Sequence, residues 1–229
     1  MMTSTNPEAA PADAPQKTKT THAQRMRLVQ PVLEQLFTLY PHLFGAEFLP
    51  LKRGIFQELL EKHPELFQRD SLKASLGVHT RSTRYLQCVA AGKQRHDLQG
   101  VAVEDVAPEH VYAAVVELFR RRQSRTQDDL RPQLRTQLMA AYETSGLSRD
   151  EYMSCVSRTQ PNDAQIGAVL EEALELVEQK LARQEALLKA FEGSGKTVEA
   201  FAEMYGIKPR DVKAALARRH PAPAVASTS

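Results

Sequence analysis

Pro50-Leu51-Lys52-Arg53-Gly54-Ile55-Phe56 is the stretch on which the reading of this chain turns. Two cations stand between a proline and a glycine, with apolar residues on either side. Basic and aromatic residues stand together again in Arg84-Tyr85-Leu86, and two cations follow a glycine in Gly92-Lys93-Gln94-Arg95-His96-Asp97-Leu98. Basic and aromatic groups held beside chain-turning residues suit a grip on a nucleic-acid backbone and its end, not the catalysis of a reaction.

The charge distribution around these pieces says more than the total. Net charge is only +2 over 229 residues. From Arg69 to Arg95, however, Lys73, Arg81, Arg84 and Lys93 face a single acid, Asp70. Counterion release from a polyanion depends on where cations cluster. Taken alone, the cluster also reads as a solvated basic face.

Outward from Pro50, the pattern predicts a helix beginning near Leu51, with Ile55, Leu59 and Leu60 on its apolar side and Pro50 just before its first turn. Upstream, Leu28, Val32, Leu33, Leu36, Phe37 and Tyr40 recur at helical spacing, and Pro41 ends that helix. Leu66 and Phe67 are expected beneath the next turn. Asp70 or Ser71 caps a third helix through Leu72, Leu76 and Val78, and Thr80 or Ser82 caps a fourth carrying Arg84, Tyr85, Leu86 and Val89. Gly92 breaks it. The segment from Arg95 to Val103 reads as a small hairpin. Pro108 opens a helix with Val111, Val115, Val116 and Leu118 that ends in Arg120-Arg121-Arg122. Residues 25–122 thus read as one domain with its own core.

Residues 1–24 read as a disordered tail rich in Thr, Ala and Pro, and 221–229 as a second. Lys17, Lys19, Arg25 and Arg27 could add weak contact to an acidic polymer. Residues 123–195 read as helical: a stripe of Leu130, Leu134, Leu138 and Tyr142; a capping box from Ser148 to Glu151; a break at Thr159-Gln160-Pro161-Asn162-Asp163; then a long helix. Ile166, Leu170, Leu174, Val177 and Leu181 approximate a heptad seam, open to packing within the chain or to a coiled-coil dimer. Gly193-Ser194-Gly195 reads as a helix stop. Residues 196–220 resemble a helix-turn-helix, with Gly206 in the turn, Ile207, Val212 and Leu216 between the helices, and Lys208, Arg210, Lys213, Arg218 and Arg219 on the second. A DNA groove or a protein partner would each fit such a hairpin.

Several chemistries find no support. Gly195-Lys196-Thr197 lacks the glycine five positions earlier that a phosphate loop requires, since Ala190 stands there. The seven histidines form no metal-ligand spacing. No nucleophile has an evident base. Cys88 and Cys155 read as reduced, buried thiols of a cytoplasmic protein. There is no apolar run of membrane-spanning length and no signal-peptide pattern at the start. Neither catalytic residues, nor a metal, nor a cofactor is expected.

The basic centre is different. Thr80-Arg81-Ser82-Thr83 would supply a helix start, whose free amides and positive dipole end seat a phosphate. Tyr85 lies within one turn of it and reads either as a core aromatic or as a ring that stacks on an unpaired base and bonds a terminal hydroxyl. Arg84 and Arg95 add charge-assisted bonds.

In this order and spacing, Tyr40-Pro41-His42-Leu43-Phe44, Pro50 to Ile55, Tyr85-Leu86 and Gly92 to Gly100 resemble the successive motifs of the ProQ/FinO family of bacterial RNA chaperones, over about residues 28–122. The resemblance implies a mostly α fold: a compact helical domain with a small β-hairpin, here followed by an all-helical C-terminal region. It implies binding of structured RNA, such as terminator hairpins with a single-stranded 3′ tail, with small RNAs and mRNA 3′ ends as partners, in post-transcriptional regulation by small RNAs. Carried over by position, Tyr85 and Arg95 would line a pocket for the 3′ end with the Thr80-Arg81-Ser82 helix start. Lys52, Lys73 and Arg84 match RNA-contacting positions, with Arg69, Arg81 and Lys93 in the same neighbourhood. The sequence departs from the family at Gly77, where Arg is frequent, at His79, where Tyr is frequent, and at Thr83, where an aromatic is common. The alternatives are a DNA-binding regulator using the C-terminal hairpin, or an assembly or adaptor protein. The oligomeric state is left open.

Overall fold

The computed structural model describes residues 22–45, 47–159 and 163–219. The expected tails, apart from residues 22–24, lie outside these, with Lys17 and Lys19; so do Gln160, Pro161 and Asn162 of the expected break. Eleven helices and one two-stranded ribbon form the described chain, a mostly α fold as the sequence predicts.

The first helices wrap one core. α1 (His22–Leu39) starts inside the expected N-terminal tail and carries Pro31 in its interior. Pro41 ends α1, as expected, and also opens a single further turn, α2 (Pro41–Phe44), because a proline at the first helical position loses no needed donor. α3 (Ile55–Lys62) begins four residues later than the expected Leu51. The reason is local. The Leu51 backbone pairs in parallel with His96, and Lys52 N–H donates to the His96 carbonyl at 2.9 Å. The chain then turns at Gly54 with φ +86°, a conformation that a side chain would strain. α4 (Arg69–Thr80) and α5 (Thr83–Ala90) follow. Gln68, not Asp70 or Ser71, stands at the start of α4, and Asp70 falls in its first turn. Leu36, Leu43, Leu59 and Leu72 are fully buried in this core, and Phe67 joins them. Leu66 does not; it is exposed.

β1 (Arg95–His96) and β2 (Ala102–Glu104) pair antiparallel. Asp97 Oδ1 closes their turn by accepting from the Gln99 and Val101 amides at 2.9 Å each. α6 (Pro108–Gln123) is the hinge of the architecture. It packs on α5 with Ala114 in the first core. It also packs on α7 (Arg131–Ser145) and α8 (Arg149–Ser157) with Tyr112, Val115 and Val116 in a second core. That second core is completed by α9 (Ala164–Ser194). Ser148 and Glu151 form the predicted capping box, each side chain taking the other's backbone amide.

The seam of α9 resolves into packing within the chain. Ile166, Leu170, Leu174 and Val177 are buried against α7 and its neighbours, whereas Leu181 is 49% exposed. Beyond it, α9 meets α10 (Val198–Tyr205) and α11 (Pro209–Arg219), which close a third, small core around Phe201 and Val212. Gly195 stops α9, and Gly206 makes the turn between the last two helices at φ +64°.

Candidate nucleic-acid interface

Burial and backbone pairing place the central residues. Ser82, with extended backbone, caps α5: its Oγ accepts from the Tyr85 amide at 3.2 Å. Thr80 closes α4 and donates its hydroxyl to the Leu76 carbonyl at 2.8 Å. Tyr85 turns inward, 6% exposed, and its Oη accepts from the Leu51 amide at 3.0 Å. Arg95 Nη1 donates to the carbonyl of the same Leu51 at 2.9 Å, and Nη2 lies 3.5 Å from His110 Nδ1. The Leu51 peptide, a backbone feature with no sequence signature of its own, thus locks tyrosine and arginine together. Burial pushes the Tyr85 phenol above its usual range, against the pull of the Leu51 amide and the Arg95 guanidinium.

Thr80, Tyr85 and Arg95 border one cleft of about 480 Å³ between α5 and α6. This geometry corrects the expectation of a stacking ring. With its faces covered, Tyr85 can offer the cleft an edge and a hydroxyl proton, since the contacts that Oη makes are ones it accepts. It cannot offer an open face to a base.

The other candidates stand apart from the cleft. Arg69, Lys73, Gly77 and Arg81 follow one another at four-residue spacing along α4, and the three cations are exposed. The Arg69 guanidinium lies 5.5 Å from the Phe56 ring centroid. That of Arg84 lies 4.8 Å from Phe48. Lys52 pairs with Glu58, which raises its pKa. Lys93 is exposed in the turn before β1. Arg53 is clamped to Glu104 through Nε at 3.0 Å and Nη2 at 2.9 Å, and that carboxylate is held below its usual range.

Sequence reading missed the support from α6. Arg121 Nη1 donates to the Arg81 carbonyl and lies 3.3 Å from Thr83 Oγ1, with Nε on Glu117 at 2.8 Å. The run Arg120-Arg121-Arg122 is more than a helix end. The one signal available was the four-residue spacing of Glu117 and Arg121. His79, at the family departure, is buried among Phe44, Phe48 and Tyr85 with Nε2 unpartnered, and burial lowers its pKa to about 4.

Elsewhere, Cys88 is buried, with its thiol pushed up to about 11 by burial, while Cys155 is only half-buried, unlike the expectation. On α11, Lys213 pairs with Glu199 at 3.0 Å and Arg210 with its neighbour Asp211 at 3.6 Å, which weakens the basic face expected there. The side chains of Arg218 and Arg219 lie outside the described residues. No helix among the described residues is long and apolar enough to cross a membrane.

The described segment is thus a helical domain with a small hairpin, a cleft bordered by Thr80, Tyr85 and Arg95, and a row of exposed cations beside it. Comparison with known proteins shows a likeness: residues 26–131 match the ProQ/FINO family. The chain is 38% identical over 91 residues to the RNA chaperone ProQ of Shewanella pealeana, a match covering 38% of this chain and 43% of that protein. It is 38% identical over 84 residues to the RNA chaperone ProQ of Shewanella piezotolerans, covering 35% and 40%. The match therefore spans less than half the length of these curated relatives. A crystal structure of a FinO-like RNA chaperone from Neisseria meningitidis aligns with 27% identity and a TM-score of 0.35, over 38% of this chain and 90% of that one.

Proposed function

We propose that this chain is an RNA chaperone that binds structured RNA ending in a single-stranded 3′ tail, as in terminator hairpins. Its work would be post-transcriptional regulation by small RNAs in the cytoplasm, through binding of small RNAs and of mRNA 3′ ends. The observation that carries the reading is the convergence of Thr80, Tyr85 and Arg95 on one cleft inside the segment that matches the family. A ribose hydroxyl entering the cleft would meet the Tyr85 hydroxyl, and a phosphate would meet Arg95 and the capped start of α5. The stripe of Arg69, Lys73 and Arg81 would follow the stem by phosphate contacts, because the deep major groove of A-form RNA cannot be read by side chains.

The test is a gel-shift titration of one terminator hairpin, with its 3′ U tail intact or removed, against the natural chain and Arg95→Ala. The expected outcome is tail-dependent binding that the substitution weakens, and weaker binding at higher salt. Equal affinity for both RNAs would leave generic polyanion binding and remove the pocket.

A further inference from the structure

The cleft that receives the 3′ end under this reading extends past Tyr85 and Arg95 along α6, and one of its bordering residues, Thr159, lies beyond the segment that matches the family. Its far side is bordered by Arg120, at the C-terminal end of α6, and by Thr159, just beyond α8. Arg95 meets His110 at the start of α6, and Arg120 lies ten residues further along that helix. At 1.5 Å per residue the two guanidinium groups bracket about 15 Å of helix surface, more than one nucleotide of extended single strand. Within that span the acid on the wall, Glu117, is already engaged by Arg121 at 2.8 Å. Arg120 itself is not buried: it is 36% exposed and bonded through Nη2 to Asp163 Oδ2 at 3.1 Å. Asp163 belongs to the C-terminal helices, where its other oxygen caps α9 by accepting from the Ile166 amide.

We infer that the single-stranded 3′ tail lies along α6 from Arg95 to Arg120, and that Asp163 competes with the tail's phosphate for Arg120. The inference rests on the proposed pocket and adds to it. The C-terminal region reaches the cleft's rim through Thr159, and its Asp163, paired with Arg120, would set how strongly the tail is held. When a phosphate arrives, one charge-assisted bond replaces another. The carboxylate is left to solvent on the cap, where half-exposure makes its loss from Arg120 inexpensive.

Two substitutions in the full chain separate this from a structural role. Arg120→Gln removes the phosphate contact. Asp163→Asn removes the competing charge and keeps the cap, since Asn caps helices as well as Asp. Both break the same ion pair, so a merely structural pair would move RNA binding in the same direction in both variants. The expected result is opposite movement. Arg120→Gln should weaken binding of the tailed hairpin roughly tenfold and shallow its salt slope by about 0.7, the value for one phosphate of a single strand. Asp163→Asn should tighten it a few-fold, as loss of one half-exposed competing pair allows. Arg120→Lys should restore the slope. With the tail removed, all the variants should bind alike. If both variants bind the tailed hairpin as the natural chain does, or both weaken it, the inference is overturned while the pocket stands. If the natural chain ignores the tail, the pocket reading falls and the inference with it.

Discussion

Arg121 reaches 2.9 Å from the end of α6 to the carbonyl of Arg81, and this bond ties the turn between α4 and α5 to a helix forty residues further along the chain. The turn presents the capped start of α5, so its position governs the cleft. Arg121→Ala should lower stability by about 1 kcal/mol, the ordinary worth of such a bond, and should also weaken binding of the tailed hairpin. Urea unfolding and the gel-shift titration check the two together. An unchanged midpoint would show that the turn holds without α6.

His79 should make stability depend on pH. Its imidazole is kept neutral by burial, with a folded pKa of about 4 against an ordinary 6.5. Between these values the unfolded chain binds more protons than the folded one. Stability is therefore whole above about pH 6.5, falls as pH drops toward 4, and levels below it. The loss is about 3 kcal/mol. In His79→Phe, which suits the surrounding Phe44, Phe48 and Tyr85, that part of the acid sensitivity should vanish in thermal melts at pH 7, 5.5 and 4.

Gly77→Ala should stabilise the chain. Gly77 lies in the middle of α4 at ordinary helical angles, where alanine is better by about 1 kcal/mol. An added Cβ would come 3.1 Å from Arg81 Nη2, the far end of a flexible side chain that can move aside. The rise in melting temperature should come with a change in RNA affinity only if the folded-back Arg81 guanidinium contacts the stem.

The buried hydroxyl of Tyr152 has no partner, and burial raises its pKa well above the usual range. Tyr152→Phe removes a polar group that lacks a bond, so stability should be unchanged or higher by under about 1 kcal/mol. Denaturant unfolding of this one variant suffices. A marked loss would reveal a bound water at that oxygen.

A fragment ending at Gln123 should not behave as an independent RNA-binding unit. Tyr112, Val115 and Val116 on α6 are each at most 5% exposed, through contact with the later helices. Cutting there uncovers them, and light scattering should show more association for the fragment than for the full chain. A clean, stable monomer would mean that α6 re-seats itself.

This shared helix marks the limit of what the sequence made legible. Helix starts were readable where a side chain does the capping, as at Ser82 and Ser148, or where a proline opens the first turn, as at Pro108, because such starts are written in residue types. The start of α3 was not, because the pairing of the Leu51 backbone with His96 depends on residues that meet only in the folded chain. Val115 and Val116 were read correctly as apolar positions. Nothing in their spacing told that they serve a second core while Ala114, beside them, serves the first. The candidate cations were legible as a cluster, and the structure separates them into a cleft wall at Arg95 and a stripe along α4. Tyr85 was left open between core and contact; the structure buries its ring and sets it at the border of the cleft. Only the spacing from Glu117 set Arg121 apart from Arg120 in sequence; their partners, the Arg81 carbonyl and Asp163, meet them only in the folded chain.

The thirty-one residues of α9 carry one last consequence. Its first half is embedded in the second core, its end anchors the small core of α10 and α11, and Leu181 between them is exposed. The terminal hairpin is therefore mounted on a single rigid shaft, and the number of residues in the shaft sets both its reach and its bearing. Removing one residue between Val177 and Leu188 would shorten the reach by only about 1.5 Å, yet would swing the hairpin by about 100° around the axis. Insertions and deletions between Leu181 and Leu187 would act as a dial, turning whichever face of α11 meets the surroundings while the second and third cores on either side stay packed.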